Sequence, residues 1–503
     1  MSDGSAAVVG DRPRRPNDHR FFGHPWALAT LFSTELWERF SFYGMRAILT
    51  LYLAAPVAAG GWGWSSGDAT SLYGVYNGFV YLMALPGAWL ADRLIGARRS
   101  VLWGGVVIAM GHYLLAVPAH ATFFLGLIFI VCGTGLLKPN MSAMVGELYE
   151  RDDPRRDAGF SLFYMGINIG AFVAPLIVGP LGQDVNWHLG FACAGIGMTI
   201  AVIWYVIGTR GMGDVGTVIC KPLHAVDRRR LLRALLIGVV IAAVVVGGAQ
   251  LLFTKVFGKT SISAFLLIMA LVPVLVTVVY FSRMFADREL TDVERSRLSA
   301  YVFLFVFAAC FWLIYDQAGS VVNLFTEHKV DLDLPLLGNV AASTFQSINP
   351  IFIIIGSPLA AIVWLRLGHR LSTPSKFAFG LIFNGLSFVV MSFAAAAAVG
   401  GGRVSPLWIV AVYAIQVAGE LSISPVGLSA TTKLAPASYV SQMLGLWFLS
   451  TAVGDGIGGQ IAGLQDRWGE TAYFAILGGA SVVLGLAAIG MVRSLRGLMR
   501  GIH

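Results

Sequence analysis

Between Trp26 and Pro56 the chain runs for about one membrane thickness through mostly apolar residues, yet Glu35, Glu38, Arg39 and Arg46 lie inside that stretch. In a bilayer each charge at a helix centre costs roughly 2.5–3.5 kcal/mol, so four cost on the order of 10 kcal/mol before any pairing. Positions 35, 38, 39, 42 and 46 recur at i, i+3, i+4, i+7 and i+11, which gathers all four charges on one helical stripe. Such a stripe must face a wet cavity. A purely structural ion pair can be exchanged for apolar residues at little loss, so four retained charges point to function.

The bilayer itself is inferred from composition. Of 503 residues, 57% are hydrophobic and only 12% charged, against about 25% charged in soluble domains. A window of about 19 residues picks out fourteen apolar segments: 27–55, 69–92, 99–118, 121–148, 158–181, 188–209, 231–253, 262–285, 297–326, 338–367, 375–398, 405–433, 438–464 and 470–494. Helices are the expected form, because only they satisfy their own backbone in lipid and no ten-residue alternation of a barrel is present. Arg and Lys collect in alternate loops: Arg93, Arg98 and Arg99, then Arg151, Arg155 and Arg156, then the run through Arg228 to Arg230, and later Arg366, Lys376 and Lys433. The positive-inside rule then makes both termini cytoplasmic in a multi-pass protein of the inner (plasma) membrane. The net charge of +8 is explained by this topology and calls for no nucleic-acid partner. The first twenty residues are polar and Arg-rich, and read as an uncleaved cytoplasmic segment.

Fourteen spans divide as six, two and six. The expected organisation is a cytoplasmic segment 1–26, an N-terminal six-helix bundle 27–209, a basic linker with a two-helix insertion 210–296, a C-terminal six-helix bundle 297–494 and a tail 495–503. Two six-helix halves facing each other across a midplane site are the plan of major facilitator transporters, though a helix count alone also fits a channel or a membrane enzyme. No H-E-x-x-H and no Cys-His cluster is present, so no enzyme, metal site or cofactor is expected. Cys132, Cys193 and Cys310 in apolar segments and Cys220 in the linker suggest no disulfide framework.

Outside the first span, the ionisable residues read as deep in the membrane are Lys138, Asp316 and Glu420. One wall of a cavity then carries Arg39, Arg46 and Lys138, and the opposite wall carries Asp316 and Glu420. A zwitterion fits between them, held by charge-assisted hydrogen bonds in a low-dielectric cleft. Tyr43, Tyr73, Tyr81, Trp312 and Trp447 offer apolar walls with polar tips, while Asn168, Gln346 and Asn349 offer amide partners. Prolines at Lys138-Pro139, Asn349-Pro350 and Ser424-Pro425 predict helix interruptions beside these polar positions.

The segment E-L-W-E-R-F-S-F-Y-G from Glu35 to Gly44 resembles the E-x-x-E-R-F-x-Y-Y-G signature of the proton-dependent oligopeptide transporter family, with Phe42 as the departure. Further matches are G-A-W-L-A-D-R-L-I-G (Gly87 to Gly96), K-P-N (Lys138 to Asn140), F-Y-M-G-I-N-I-G (Phe163 to Gly170), Q-S-I-N-P (Gln346 to Pro350) and E-L-S-I-S-P (Glu420 to Pro425). The ordered set is specific, where a single D-R-x-x-G loop is shared by many facilitators. The resemblance implies an all-α major facilitator fold with two extra helices, acting as a monomer that imports di- and tripeptides with protons. It makes Glu35, Glu38, Arg39 and Asp316 the proton-coupling residues. It assigns Arg46 and Lys138 to the peptide carboxylate, Asn168, Asn349 and Glu420 to the ammonium, and Tyr43, Trp312 and Trp447 to the pocket wall. Gates are expected as Arg46–Asp316 outside and Lys138–Glu420 inside, each broken in the opposite state. The hydroxyl missing at Phe42 predicts an altered affinity or substrate range. Competing expectations are a drug/proton antiporter, which needs no ammonium-binding Glu420, and a nitrate or other anion carrier, against which both glutamates beside Arg39 argue.

Overall fold

A computed structural model describes residues 18–502 except 151–152, 220–221, 223–232, 234–243, 245–246, 253, 256–257, 259–260, 336–337 and 368–370. The expected span 231–253 and the segment 1–17 therefore lie largely outside the described residues.

Among the described residues the apolar segments fold into helices. A first bundle consists of α1 (Trp26–Ala54), α2 (Ser66–Leu82), α3 (Ala84–Leu90), α4 (Ala97–Leu115), α5 (His120–Glu147), α6 (Arg156–Pro180) and α7 (Trp187–Thr209). Next comes α8 (Ser261–Ala286). A second bundle follows with α9 (Asp292–Tyr315), α10 (Val321–Lys329), α11 (Ile348–Leu367), α12 (Thr373–Ala397), α13 (Leu407–Leu434), α14 (Val440–Ala462) and α15 (Glu470–Leu498). A two-stranded antiparallel hairpin, β1 (Asp333–Leu334) with β2 (Gly338–Asn339), links α10 to the turn before α11. The 29 residues of α1 rise about 43 Å at roughly 1.5 Å each, enough to cross a bilayer. Pro56 ends this helix, since the residue before a proline is driven out of the helical region. Helix starts are conventional: Ser65 caps α2 by accepting from Asp68 N at 3.0 Å, and Thr291 with Glu294 closes a capping box on α9.

Among the described residues nine helical segments are long and apolar enough to cross a membrane by length and composition. Helix α1 falls outside that set through its four charges and α2 through its length of 17 residues, while α14 is rich in Gly, Ser and Thr.

Each bundle has its own apolar core. Phe40, Tyr52, Phe123 and Phe191 centre the first; Phe305, Phe311, Phe377 and Phe388 lie in the second. The bundles meet along α2 and α14, where small residues let backbones approach. A Cβ on Gly78 would stand 2.8 Å from Ala452 O, and one on Gly74 would overlap Asp455 O. Helix α8 packs against this seam, on both α2 and α14.

Helix breaks differ from expectation. Helix α5 runs unbroken through Pro139 and α13 through Pro425, while Pro350 sits in the first turn of α11, where no backbone N–H is needed. Neighbouring donors make the interior prolines tolerable: Asn140 Nδ2 donates to Leu136 O at 2.7 Å, and Trp364 Nε1 donates to Leu421 O, the carbonyl Pro425 leaves free, at 3.3 Å. The real breaks fall at Met83, between α2 and α3, and at Asp316–Gly319, a 3-10 turn that splits the expected span 297–326.

Candidate transport site

Helix α1 positions the acidic end of the site. Glu35, Glu38 and Arg39 are buried to within a few per cent of complete exclusion, and Arg39 Nε lies 3.1 Å from Glu35 Oε1 and also donates to Glu38 Oε2. One guanidinium therefore answers two carboxylates. Among the described residues Glu35 Oε2, Glu38 Oε1 and Arg39 Nη2 have no partner. Unsatisfied buried charge is costly, so these three atoms are open to a further partner. Phe42 stands on the same stripe with its ring 5.2 Å from Arg39 Cζ and edge-on to Tyr43. The expectation of a lost substrate contact is thus joined by a second role. The apolar ring covers the guanidinium.

Two turns further on, α1 carries Arg46, which reaches the second bundle. Its Nη2 donates to Asp316 Oδ1 at 2.9 Å across the seam, and its Nε donates to Tyr73 OH. Aspartate at 316 is long enough for this reach because the 3-10 turn Asp316–Gly319 brings the backbone itself close, with Asp316 O 3.5 Å from Arg46 Nη2. Further bonds between the bundles gather at the same end: Asn323 Nδ2 to Ala47 O at 2.8 Å, Thr50 Oγ1 to Gly319 O at 3.2 Å, Ser347 Oγ to Phe172 O at 2.7 Å, and Gln183 Nε2 to Glu327 Oε2 at 2.8 Å. The end of the cleft remote from the start of α1 is shut by these contacts.

Lys138 on α5 directs its ammonium at the Tyr81 ring, 4.0 Å from the centroid. The structure does not bring it to Glu420. Among the described residues no ion pair joins the two, and Glu420 instead accepts from Tyr315 OH, which in turn accepts from Asn349 Nδ2 at 2.8 Å. This relay of Asn349, Tyr315 and Glu420 brings two expected site residues together through one the sequence reading did not single out. Asn168 is buried and turned back on α6, donating to Tyr164 O at 2.9 Å. Trp312 stands edge-on to Tyr315 at 5.4 Å, its indole N–H without a partner among the described residues. Trp447 is buried against Phe377 and fills the space above Gly427. Tyr43 lies under the Arg46 guanidinium at 5.7 Å.

One buried acid escaped the sequence reading, which counted only Lys138, Asp316 and Glu420 outside the first span. Asp455 on α14 is 4% exposed and accepts from Asn77 Nδ2 at 2.8 Å. Its signal was present: a lone acid in an apolar segment, the same cost argument that singled out Asp316. The Gly- and Ser-rich sequence around it disguised the depth of the segment.

Two helical bundles packed along a small-residue seam, with charged side chains turned into the interface and closed at one end, define a secondary transporter of the major facilitator fold. The family model described as the POT family matches residues 98–476. The di-/tripeptide transporter of Lactococcus lactis subsp. lactis (strain IL1403) is 40% identical over 487 residues, covering 95% of this chain and 97% of its own. The uncharacterized transporter YclF of Bacillus subtilis (strain 168) is 42% identical and covers 96% of each chain. A crystal structure of a peptide transporter POT in complex with sulfate superposes with a TM-score of 0.90 at 43% identity, over 96% of this chain and 98% of that one. The chain belongs to the POT family, and it is a membrane transporter with many spans, not an enzyme.

Proposed function

We propose that this chain is a proton-coupled symporter that imports di- and tripeptides across the inner membrane by alternating access, working as a monomer with both termini cytoplasmic. One observation carries the reading: a buried guanidinium shared by two carboxylates, each of which keeps an oxygen without a partner among the described residues, on the stripe that also carries the bundle-bridging Arg46. Peptide as the substrate is supported by relatives named as di-/tripeptide transporters.

Protonating Glu35 or Glu38 weakens its hold on Arg39 and leaves positive charge on Arg39 and Lys138 for a peptide carboxylate. Glu420 on the opposite wall takes the ammonium, steadied by Tyr315 and Asn349. Asn168 belongs with Glu420 at the ammonium, and Tyr43, Trp312 and Trp447 are the wall of the pocket. On the positive-inside reading the shut end is external, so the Arg46–Asp316 pair is the closed outer gate of a form that faces the cytoplasm. Lys138 and Glu420, unpaired with each other here, form the inner gate in the opposite state.

The test is uptake of labelled dipeptide into proteoliposomes with and without an inward proton gradient. Concentrative uptake that needs the gradient is expected. Uptake indifferent to the gradient, or absent for all dipeptides tested, overturns the reading.

A further inference from the structure

Asp316 and Asp455 come from opposite sides of a tight crossing. Helix α14 lies against α9 with Gly454 on Ala309 and Leu313, and Gly458 on Leu313, which brings Asp455 beside the start of the 3-10 turn at Asp316. The crossing sets the two carboxyl groups close enough to interact directly. Both residues are more than nine-tenths buried, at 6% and 4% exposure. Each has one oxygen well partnered. Asp316 Oδ1 accepts from Arg46 and Asp455 Oδ2 accepts from Asn77. Each has one oxygen with no donor among the described residues: Asp316 Oδ2 and Asp455 Oδ1.

Two ionised carboxylates in contact inside a low-dielectric bundle repel, and here Arg46 is the only cation paired with either of them among the described residues. The other groups facing the pair are Tyr43 from α1, Tyr73 and Tyr81 from α2, the more distant Lys138 from α5, Tyr315 from α9 and Glu420 from α13. Helix α8 presents the apolar Ala270 to α14 at Gly456. None of these donates to the two empty oxygens.

We propose that Asp455 is a proton-storage residue of this transporter, sharing one proton with Asp316 and thereby controlling the Arg46–Asp316 gate. The inference rests on the symporter reading and adds to it a proton site separate from Glu35 and Glu38. With the gate shut, the proton is on Asp455 Oδ1 and is donated to Asp316 Oδ2, so the pair carries a single negative charge that Arg46 balances. When Arg46 withdraws, the O–H bond on Asp455 breaks and one forms on Asp316. The negative charge moves to Asp455, where the Asn77 amide already donates to it. The gate then opens without leaving an uncompensated carboxylate at Asp316, and no proton has to come from water.

Two measurements on the full-length protein, neither using substrate, test this. The first is infrared spectroscopy of wild-type protein labelled with carboxyl-13C aspartate, in lipid at neutral pH. An isotope-shifted stretch of a protonated aspartic acid is expected, lost in Asp455→Asn; its absence from wild type overturns the proposal without any variant having to fold. The second is the spin-label distance between Val57 and Leu407, exposed positions in the two bundles, on a background lacking native cysteines. The amide of Asp455→Asn keeps both hydrogen bonds, accepting from Asn77 and donating to Asp316, but holds no transferable proton. The open fraction is expected to fall about tenfold in Asp455→Asn and to be restored in Asp455→Glu. Wild-type opening in Asp455→Asn overturns the proposal and reduces Asp455 to a structural hydrogen-bond partner. A failure of dipeptide uptake in wild type would sink the peptide reading while leaving both of these measurements intact.

Discussion

Replacing Asp316 by Asn tests whether the bridge between the bundles is a gate. The pair it breaks is 2.9 Å long, with side chains 11% and 7% exposed, so solvent screening does little to weaken it. A hydrogen bond to a charged group contributes about 1.5–3 kcal/mol and a neutral one about 0.5–1.5. The amide introduced by Asp316→Asn keeps a carbonyl oxygen for Arg46 to reach, so the difference is about 1–1.5 kcal/mol, which is roughly tenfold in an equilibrium between states. Because the bond exists only when the outer end is shut, that whole difference shifts the population toward outward-open forms. Arg46 retains Tyr73 and the Asp316 backbone carbonyl as partners, so the fold itself should survive. The assay is spin-label distance across the outer end together with proton-driven uptake. Outward distances should gain about tenfold in weight, transport should slow more than binding weakens, and Asp316→Glu should be milder than Asp316→Asn. Unchanged distances and equal transport in Asp316→Asn would refute the gate and leave Asp316 a structural partner of Arg46.

Other consequences are equally direct. Glu35→Gln or Glu38→Gln should abolish proton-driven accumulation of dipeptide while leaving part of the counterflow, since an amide keeps the shape but cannot titrate; concentrative uptake equal to wild type in both variants would exclude them as coupling groups. At the N-terminal end, His24 is buried with Nδ1 2.8 Å from Tyr149 OH, and burial, helped by the nearby Arg155 charge, holds its pKa below the ordinary 6.5. A group kept neutral by the fold charges more readily when unfolded, so this contribution to stability is full above pH 6.5 and falls as the pH drops through that value. Thermal unfolding in detergent between about pH 7 and 5 should show a smaller acid loss in His24→Phe than in wild type.

Much of this architecture is legible in the chain because lipid enforces simple costs. The stripe at Glu35, Glu38, Arg39 and Arg46 announces itself by its expense, and Asp316 and Glu420 do so singly. What the sequence conceals is set by tertiary contact. Pro139 and Pro425 read as breaks, yet Asn140 and Trp364 supply donors for backbone carbonyls in the turns they disturb. The break at Asp316 has no proline; it arises where the chain leaves α9 to reach Arg46, and Gly319 is the residue small enough to lie against Tyr73 and that guanidinium. Tyr315, the neighbour of Asp316, joins Glu420 to Asn349, a pairing across 34 and 105 residues of chain that no local pattern encodes.

Charge bookkeeping at the first bundle yields a last consequence. Glu35 and Glu38 together match Arg39 and Lys138, so the cluster is neutral as long as both carboxylates are ionised. A proton arriving on one of them leaves a surplus positive charge in a buried site, and at about 4 Å with an effective dielectric near 20 such a charge interacts with a carboxylate by roughly 4 kcal/mol. A peptide C-terminus cancels that surplus; its N-terminal ammonium, placed at Glu420, does the same on the facing wall. Proton and peptide therefore favour each other, and by reciprocity peptide affinity must rise as the pH falls. One coupled proton gives a limiting slope of about tenfold in Kd per pH unit. An amidated dipeptide, lacking the carboxylate, should bind more weakly and show little of this slope, whereas an N-acetylated one should bind weakly yet keep it. Calorimetric titration of the three ligands over a range of pH separates these outcomes. A free dipeptide whose affinity is indifferent to pH, or an amidated one with the full slope, would show that the carboxylate and the proton do not meet at this cluster.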